Sequence, residues 1–201
     1  GTATIAMQSD TRGTITLGQG AAVSIHVAEW RPTWEQQPRV ILSLDDLGSP
    51  VARIGDERDT DGWIRLEAPE AEKRFLVLSG EDALVPDVTV SDVRLTVDGQ
   101  PVEPAGRLNS GQTVDCSVTV ANAGLAPAEG FEVILTLDGH EGPRISGEQV
   151  EGLEAGGECV VRTGFDPSRA DGRRRIVARV VGKDKLSLTG DLEKAAAFTG
   201  P

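Results

Sequence analysis

Apolar residues recur at every second position along most of this chain, and clusters of Gly, Pro, Asp and Asn interrupt them about every 8–12 residues. A two-residue period buries one face of an extended strand and leaves the other in water, whereas helical periodicity is almost absent. In the first half, Thr14–Leu17 runs into the turn Gly18-Gln19-Gly20. Ala22 to Ala28 then places Val23, Ile25 and Val27 on one face and His26 on the other. Arg39 to Leu44, Val51 to Ile54, Gly62 to Leu66 and Arg74 to Leu78 continue the pattern, about seven short strands in all, with Leu47-Gly48-Ser49-Pro50 turning the chain.

The second half repeats the pattern over Val88 to Val97, Gln112 to Ala121, Phe131 to Leu137, Ile145 to Val150, Glu158 to Phe165, Arg174 to Val181 and Ala195 to Thr199. Asp98-Gly99, Asn122-Ala123-Gly124, Asp138-Gly139 and Asp171-Gly172 supply residues that tolerate positive φ where hairpins turn. Connections this short imply antiparallel pairing, since a parallel neighbour needs a crossover of about a dozen residues. The pattern predicts an all-β chain of two tandem antiparallel β-sandwich domains, residues 1–84 and 85–201. The polar, proline-containing stretch Glu81 to Asp87 separates them as a short linker. With 201 residues, 38% of them hydrophobic, the chain has apolar material for two small cores.

The second half carries Pro86-Asp87-Val88 leading to Val90-Ser91-Asp92-Val93, Gly111-Gln112-Thr113-Val114 continuing through Val118 and Val120 to Asn122-Ala123-Gly124, Val133 to Asp138-Gly139, and Leu153-Glu154-Ala155-Gly156-Gly157 before the strand ending at Phe165. In these marks residues 86–199 resemble a CARDB domain, the bacterial cell-adhesion-related module. The resemblance implies an immunoglobulin-like sandwich and a non-enzymatic, usually extracellular, spacer or interaction module. It supplies no catalytic residues. Asp191-Leu192-Glu193-Lys194-Ala195-Ala196 departs from the family, lacking its usual Asn-rich segment before the last strand. The first half is similar, through Asp59-Thr60-Asp61-Gly62-Trp63-Ile64-Arg65-Leu66, to macroglobulin-like or prealbumin-like sandwiches of bacterial surface proteins.

Charge narrows the partners. Twenty Lys+Arg against 32 Asp+Glu give a formal net charge of −12, which repels phosphate backbones and anionic lipid surfaces, so nucleic acid is not an expected partner. The one basic run, Arg173-Arg174-Arg175, reads as the solvated start of a strand, with a polyanion site as the rival reading. No apolar stretch approaches the ~18 residues needed to cross a bilayer, so no membrane insertion is expected. Beginning in strand-like sequence and ending at Gly200-Pro201, the chain is read as a piece of something longer.

Two loops in the first half are candidate sites. Glu29 to Pro38 is its longest connection, and Trp30 and Trp34, with Arg31 and Glu35, could stack on a sugar or receive a partner's apolar anchor; the rival reading has the indoles capping the sandwich end. Asp56, Asp59 and Asp61, with Glu57, precede Gly62 as a partial calcium cage, against a solvated turn. Calcium is the only cofactor the pattern admits. Asp45 and Asp46 are expected at the opposite end of the sandwich from this run.

Cys116 alternates in phase with Val114, Val118 and Val120, and Cys159 with Val161 and Phe165, so both are expected to be buried. Aligning their strands near Ser117 and Val161 leaves the sulfurs about three residues out of register, which predicts two reduced core thiols over the alternative of a disulfide. His26 and His140 have no nucleophile motif near them, and no catalytic residue is predicted. Glu103 and Glu148 are placed to guard strand edges against self-pairing. The expected role is a non-catalytic interaction, adhesion or spacer module of a larger bacterial surface or secreted protein. Its partner would be a protein or a cell-envelope component, outside the cell or at the envelope. The alternatives are a carbohydrate- or calcium-binding accessory module of a hydrolase and an intracellular protein-interaction scaffold in the cytoplasm.

Overall fold

The computed structural model describes residues 1–26, 37–54, 63–104, 106–109, 111–167, 172–183, 186–190 and 192–200. The chain forms two compact units, Gly1–Val85 and Pro86–Pro201.

In the first unit the strands are β1 (Ala3–Met7), β2 (Arg12–Leu17), β3 (Ala21–His26), β4 (Arg39–Leu44), β5 (Pro50–Arg53), β6 (Trp63–Ala68) and β7 (Lys73–Ser79). They make a five-stranded sheet in the order β1-β2-β7-β4-β5 and a two-stranded sheet, β3-β6. Ile15, Leu17, Ile41, Phe75 and Val77 from the larger sheet close on Ala21, Ile64, Leu66 and Ala68 from the smaller, as the alternation requires. Each such residue, once fully buried, contributes about 1.5–3 kcal/mol if it is a Val, Leu, Ile or Phe. β4 and β7 read as nearly unbroken apolar runs. Accordingly Val40, Leu42, Leu76 and Leu78, which alternate with Ile41 and Val77, are buried as well. A 3-10 turn, Gly80–Ala83, ends the unit.

The second unit holds β8 (Val88–Val97), β9 (Gln100–Pro101), β10 (Val114–Asn122), β11 (Ala128–Leu137), β12 (Arg144–Leu153), β13 (Glu158–Phe165), β14 (Arg173–Gly182) and β15 (Glu193–Thr199). Two four-stranded sheets, β13-β10-β8-β9 and β12-β11-β14-β15, face each other, and every pairing between strands is antiparallel. The core lies between them, with Val114, Cys116, Val118 and Val120 of β10 opposing Phe131, Val133 and Leu135 of β11 and Ile176 and Ala178 of β14. Asp98 (φ 51) and Gly99 (φ 76) form the positive-φ pair of the β8–β9 hairpin, the conformation that selects Asp-Gly. Glu148 lies on the edge strand β12, where a charge opposes further pairing. The strands at Ala3–Met7 and Gln100–Pro101 add to those read from the alternation, since one is exposed over most of its length and the other is two residues long.

Each unit takes the chain in at one end and passes it out at the other. In the first, Ala3 pairs with Leu17, which pairs with Lys73, at one end. Met7 pairs with Gly13 and Arg39 with Ser79 at the opposite end, where β7 finishes. In the second, Val88 pairs with Asn122 at the Pro86 end, and Arg173 pairs with Thr199 at the far end, where β15 finishes. β8 alone runs ten residues, about 33 Å at the usual strand rise.

Candidate functional site

Trp30, Arg31, Trp34, Glu35, Asp56, Asp59 and Asp61 lie outside the described residues. Their flanks are described. His26, the last described residue before the aromatic segment, pairs directly with Trp63, the first after the acidic one. The rings of His26 and Trp63 meet edge to face, with centroids 5.1 Å apart and planes at 78°. Trp63 keeps 37% of its surface exposed. Ile54, which precedes the acidic segment, donates its N–H to the Ile41 carbonyl at 2.7 Å on β4, the strand that follows the aromatic segment. Both segments therefore depart from the same end of the first unit. The sequence did not reveal that His26 and Trp63 mark this end, because register between distant strands is not written in either strand alone.

Asp45 belongs to the opposite end, as expected. Its Oδ1 accepts the N–H groups of Leu47 (3.0 Å) and Ser49 (2.7 Å), closing the β4–β5 turn, and Arg74 Nη2 donates to the Asp45 and Asp46 carbonyls at 2.7 Å.

A polar hub sits at the Pro86 end of the second unit. Asn122, buried at 1% exposure, accepts through Oδ1 from the N–H groups of Asp87 and Gly124, both at 3.0 Å. Its Nδ2 donates to the carbonyls of Ala126 (2.9 Å), Leu153 (3.0 Å) and Glu154 (3.3 Å). Asp87, equally enclosed, accepts through Oδ1 from Ser187 Oγ (3.1 Å) and the Leu188 N–H (2.9 Å). Two side chains thus fix the incoming chain to three loops.

Cys116 is fully buried, and burial pushes its thiol up to about 12. Cys159 is only half-buried, a correction to the expected burial, because β13 is an edge strand; partial burial raises its thiol as well. Cys116 pairs with Thr163 and Cys159 with Val120, so the thiols are four positions apart in register instead of three, and Ser117 pairs with Arg162 instead of Val161. Four strand positions span about 13 Å, beyond the Cα separation a disulfide bridges. Both thiols are free.

His140 occupies the β11–β12 turn with both ring nitrogens engaged. Arg179 Nη1 donates to Nδ1 at 3.0 Å, since a guanidinium only donates, which leaves Nε2 as the proton carrier toward Glu193 Oε2 at 2.7 Å. Among the described residues, no three His, Cys, Asp or Glu side chains converge to hold a metal ion. No helix among them is long and apolar enough to cross a membrane.

These observations define an all-β chain with an immunoglobulin-like second unit. The CARDB family model matches residues 86–187, and the chain belongs to that family. The match stops short of Asp191–Ala196, the stretch that departs from the family pattern. No curated protein matches the chain in sequence. Among solved structures, the CARDB domain of a Pyrococcus furiosus protein in complex with di-metal ions is 18% identical; the match covers 58% of this chain and 90% of that one, with a TM-score of 0.43. A β-galacturonidase from Eisenbergiella tayi bound to galacturonate is 10% identical over 93% of this chain and 35% of the enzyme, with a TM-score of 0.40. A β-glucosidase from Listeria innocua is 15% identical over 54% of this chain and 16% of the enzyme, with a TM-score of 0.36.

Proposed function

We propose that the chain is a non-catalytic interaction and spacer module of a longer bacterial surface or secreted protein. The observation that carries this reading is the passage of the chain through each unit from one end to the other, which is what a unit placed in series between an anchor and a functional part requires. The Asn122–Asp87 hub supports it, because tension entering at Pro86 meets a network of buried hydrogen bonds before it reaches the strands. Membership of the CARDB family supports a module without chemistry of its own.

The contact surface of this reading is made by Trp30, Arg31, Trp34 and Glu35, in the segment that follows His26 in the chain. A carbohydrate-binding accessory module of a hydrolase is the second reading, favoured by the half-exposed Trp63 ring held edge-on by His26 where both candidate segments depart. Tryptophan fluorescence titrated with soluble cell-wall and plant polysaccharides separates the two. A spacer or protein-binding module predicts an unchanged spectrum with every glycan, and a saturable change with any one glycan favours the carbohydrate-binding module. Fractionation of source cells, probed with an antibody to this chain, is expected to recover it from envelope or medium; recovery from cytosol alone contradicts the surface assignment.

A further inference from the structure

Three exposed arginines stand on the outer face of the second unit toward its Thr199 end, Arg107 beside β15 and Arg173 and Arg175 on β14, with the Arg175 guanidinium reaching the β11–β12 turn at Gly139. The Leu108 N–H donates to the Thr199 carbonyl at 2.8 Å and the Thr199 N–H to the Gly106 carbonyl at 2.9 Å, so Arg107 forms an isolated parallel bridge with Thr199 of β15. Leu108 enters the core, which by alternation turns Arg107 outward beside Thr199. From the other side Arg173 pairs with Thr199, and Arg175 pairs with Ala197. Phe198, between those two partners, is buried in the core, so Arg173 and Arg175 share the outward face. All three arginines are exposed. Strand spacing puts Arg107 and Arg173 about 10 Å apart across Thr199, with Arg175 about 7 Å along the strand from Arg173.

Asp138, the carboxylate beside Arg175, gives Oδ2 to Arg174 and accepts the Arg175 backbone N–H through Oδ1 at 3.2 Å. Among the described residues no carboxylate is ion-paired with Arg107, Arg173 or Arg175. Like charges side by side on a sheet repel. Three guanidiniums with no ion pair among the described residues, on a chain of net charge −12, therefore form a surface complementary to an anion from outside.

We propose that the Arg107–Arg173–Arg175 face docks an extended acidic segment of a partner protein, with carboxylates at alternate positions. Alternate side chains of an extended segment share one face and repeat at about 6.7 Å, the separation of Arg173 and Arg175. Two successive carboxylates then meet two guanidinium forks in bidentate geometry, and Arg107 holds the flank. A long polyanion would run off this patch onto a chain that is acidic elsewhere, which favours a short acidic peptide over nucleic acid. The proposal does not depend on the Trp30–Trp34 segment.

The test is the full chain titrated into a fluorescein-labelled peptide of alternating Thr and Glu, read by anisotropy. Expected are saturable binding, a loss of about tenfold as salt rises from about 50 to 200 mM, and a loss of tenfold or more in R107E and in the double variant R173E/R175E. The double variant R173K/R175K retains charge without the fork and loses several-fold. A peptide of equal composition with its glutamates in one block binds more weakly. The exposed positions predict unchanged melting midpoints; should R173E/R175E not fold, R173Q/R175Q reads the same loss. The proposal is overturned by absence of saturable binding, by equal binding of parent and variants, or by heparin or single-stranded DNA competing more tightly for the same arginines.

Discussion

Asn122 Oδ1 accepts the backbone N–H of Asp87 at 3.0 Å, tying the end of β10 to the residue that leads into β8. One buried amide thereby sets where the second unit begins. Asn122→Ala strands two backbone donors and three carbonyls that it now serves. Buried groups left unpaired cost about 1–3 kcal/mol each, with partial rescue by water, so a loss of about 3 kcal/mol is expected. Urea unfolding should show a lower midpoint at unchanged slope. Asn122→Asp retains the two acceptances, loses the three donations and sets a carboxylate against carbonyls; it should destabilise at least as much.

The thiols differ in accessibility. In the folded protein Cys159 should react slowly with a thiol reagent and Cys116 not at all, and both should react after unfolding in the absence of reductant. Fewer than two thiols in the unfolded protein would contradict the register of β10 and β13.

Burial of Cys116 also links stability to alkaline pH. Its folded value, about 12, lies above the ordinary thiol value of 9.0, so in that window the unfolded chain binds fewer protons than the folded one. The thiol's contribution is complete below 9.0 and is lost as pH rises toward about 12, at up to about 1.4 kcal/mol per pH unit. Cys116→Ala removes this dependence. Wild type should lose stability more steeply than the variant between about pH 9 and 11, as read from urea midpoints.

Two glycines separate backbone from side-chain crowding. A Cβ at Gly142 would strike the Leu137 carbonyl, which belongs to β11 and has nowhere to go. A Cβ at Gly147 would strike the ends of Arg144 and Glu132, which are joined in an exposed ion pair. Gly142→Ala is expected to cost about 2 kcal/mol or more. Gly147→Ala forfeits only the surface pair, within about 1 kcal/mol. Similar thermal midpoints for the two would contradict the close approach of the β11–β12 turn to its own strand.

Calcium is the metal to try against Asp56, Asp59 and Asp61. A solvated acidic segment predicts the same melting midpoint in calcium and in chelator. A saturable rise with calcium that disappears in D59N/D61N would instead establish a site, since a ligand bound only by the folded state raises the midpoint.

Much of the fold was legible because its signals are local. Alternation in Val114-Asp115-Cys116-Ser117-Val118 gave β10 its buried face, and Asp98-Gly99 and Asp138-Gly139 fixed hairpins through φ alone. Register was less legible. The offset of Cys116 from Cys159 was misread by one position because aligning strand centres ignores where each strand begins. The pairing of His26 with Trp63, the convergence of Arg107 with Arg173 at Thr199, and the hub at Asn122 all join residues far apart in sequence. Asn122 had been legible only as a turn residue, since nothing in Asn-Ala-Gly announces that the amide faces inward.

The interaction-module assignment is tested most directly by using the full chain and its W30A/W34A variant as baits against envelope, medium and cytosol fractions of source cells, with mass spectrometry of what is retained. The predicted result is one protein or envelope component held by the parent from envelope or medium and lost by the variant. Loss of no component in the variant, or partners drawn only from cytosol, would contradict it; a partner held equally by both baits through Arg107, Arg173 and Arg175 would not.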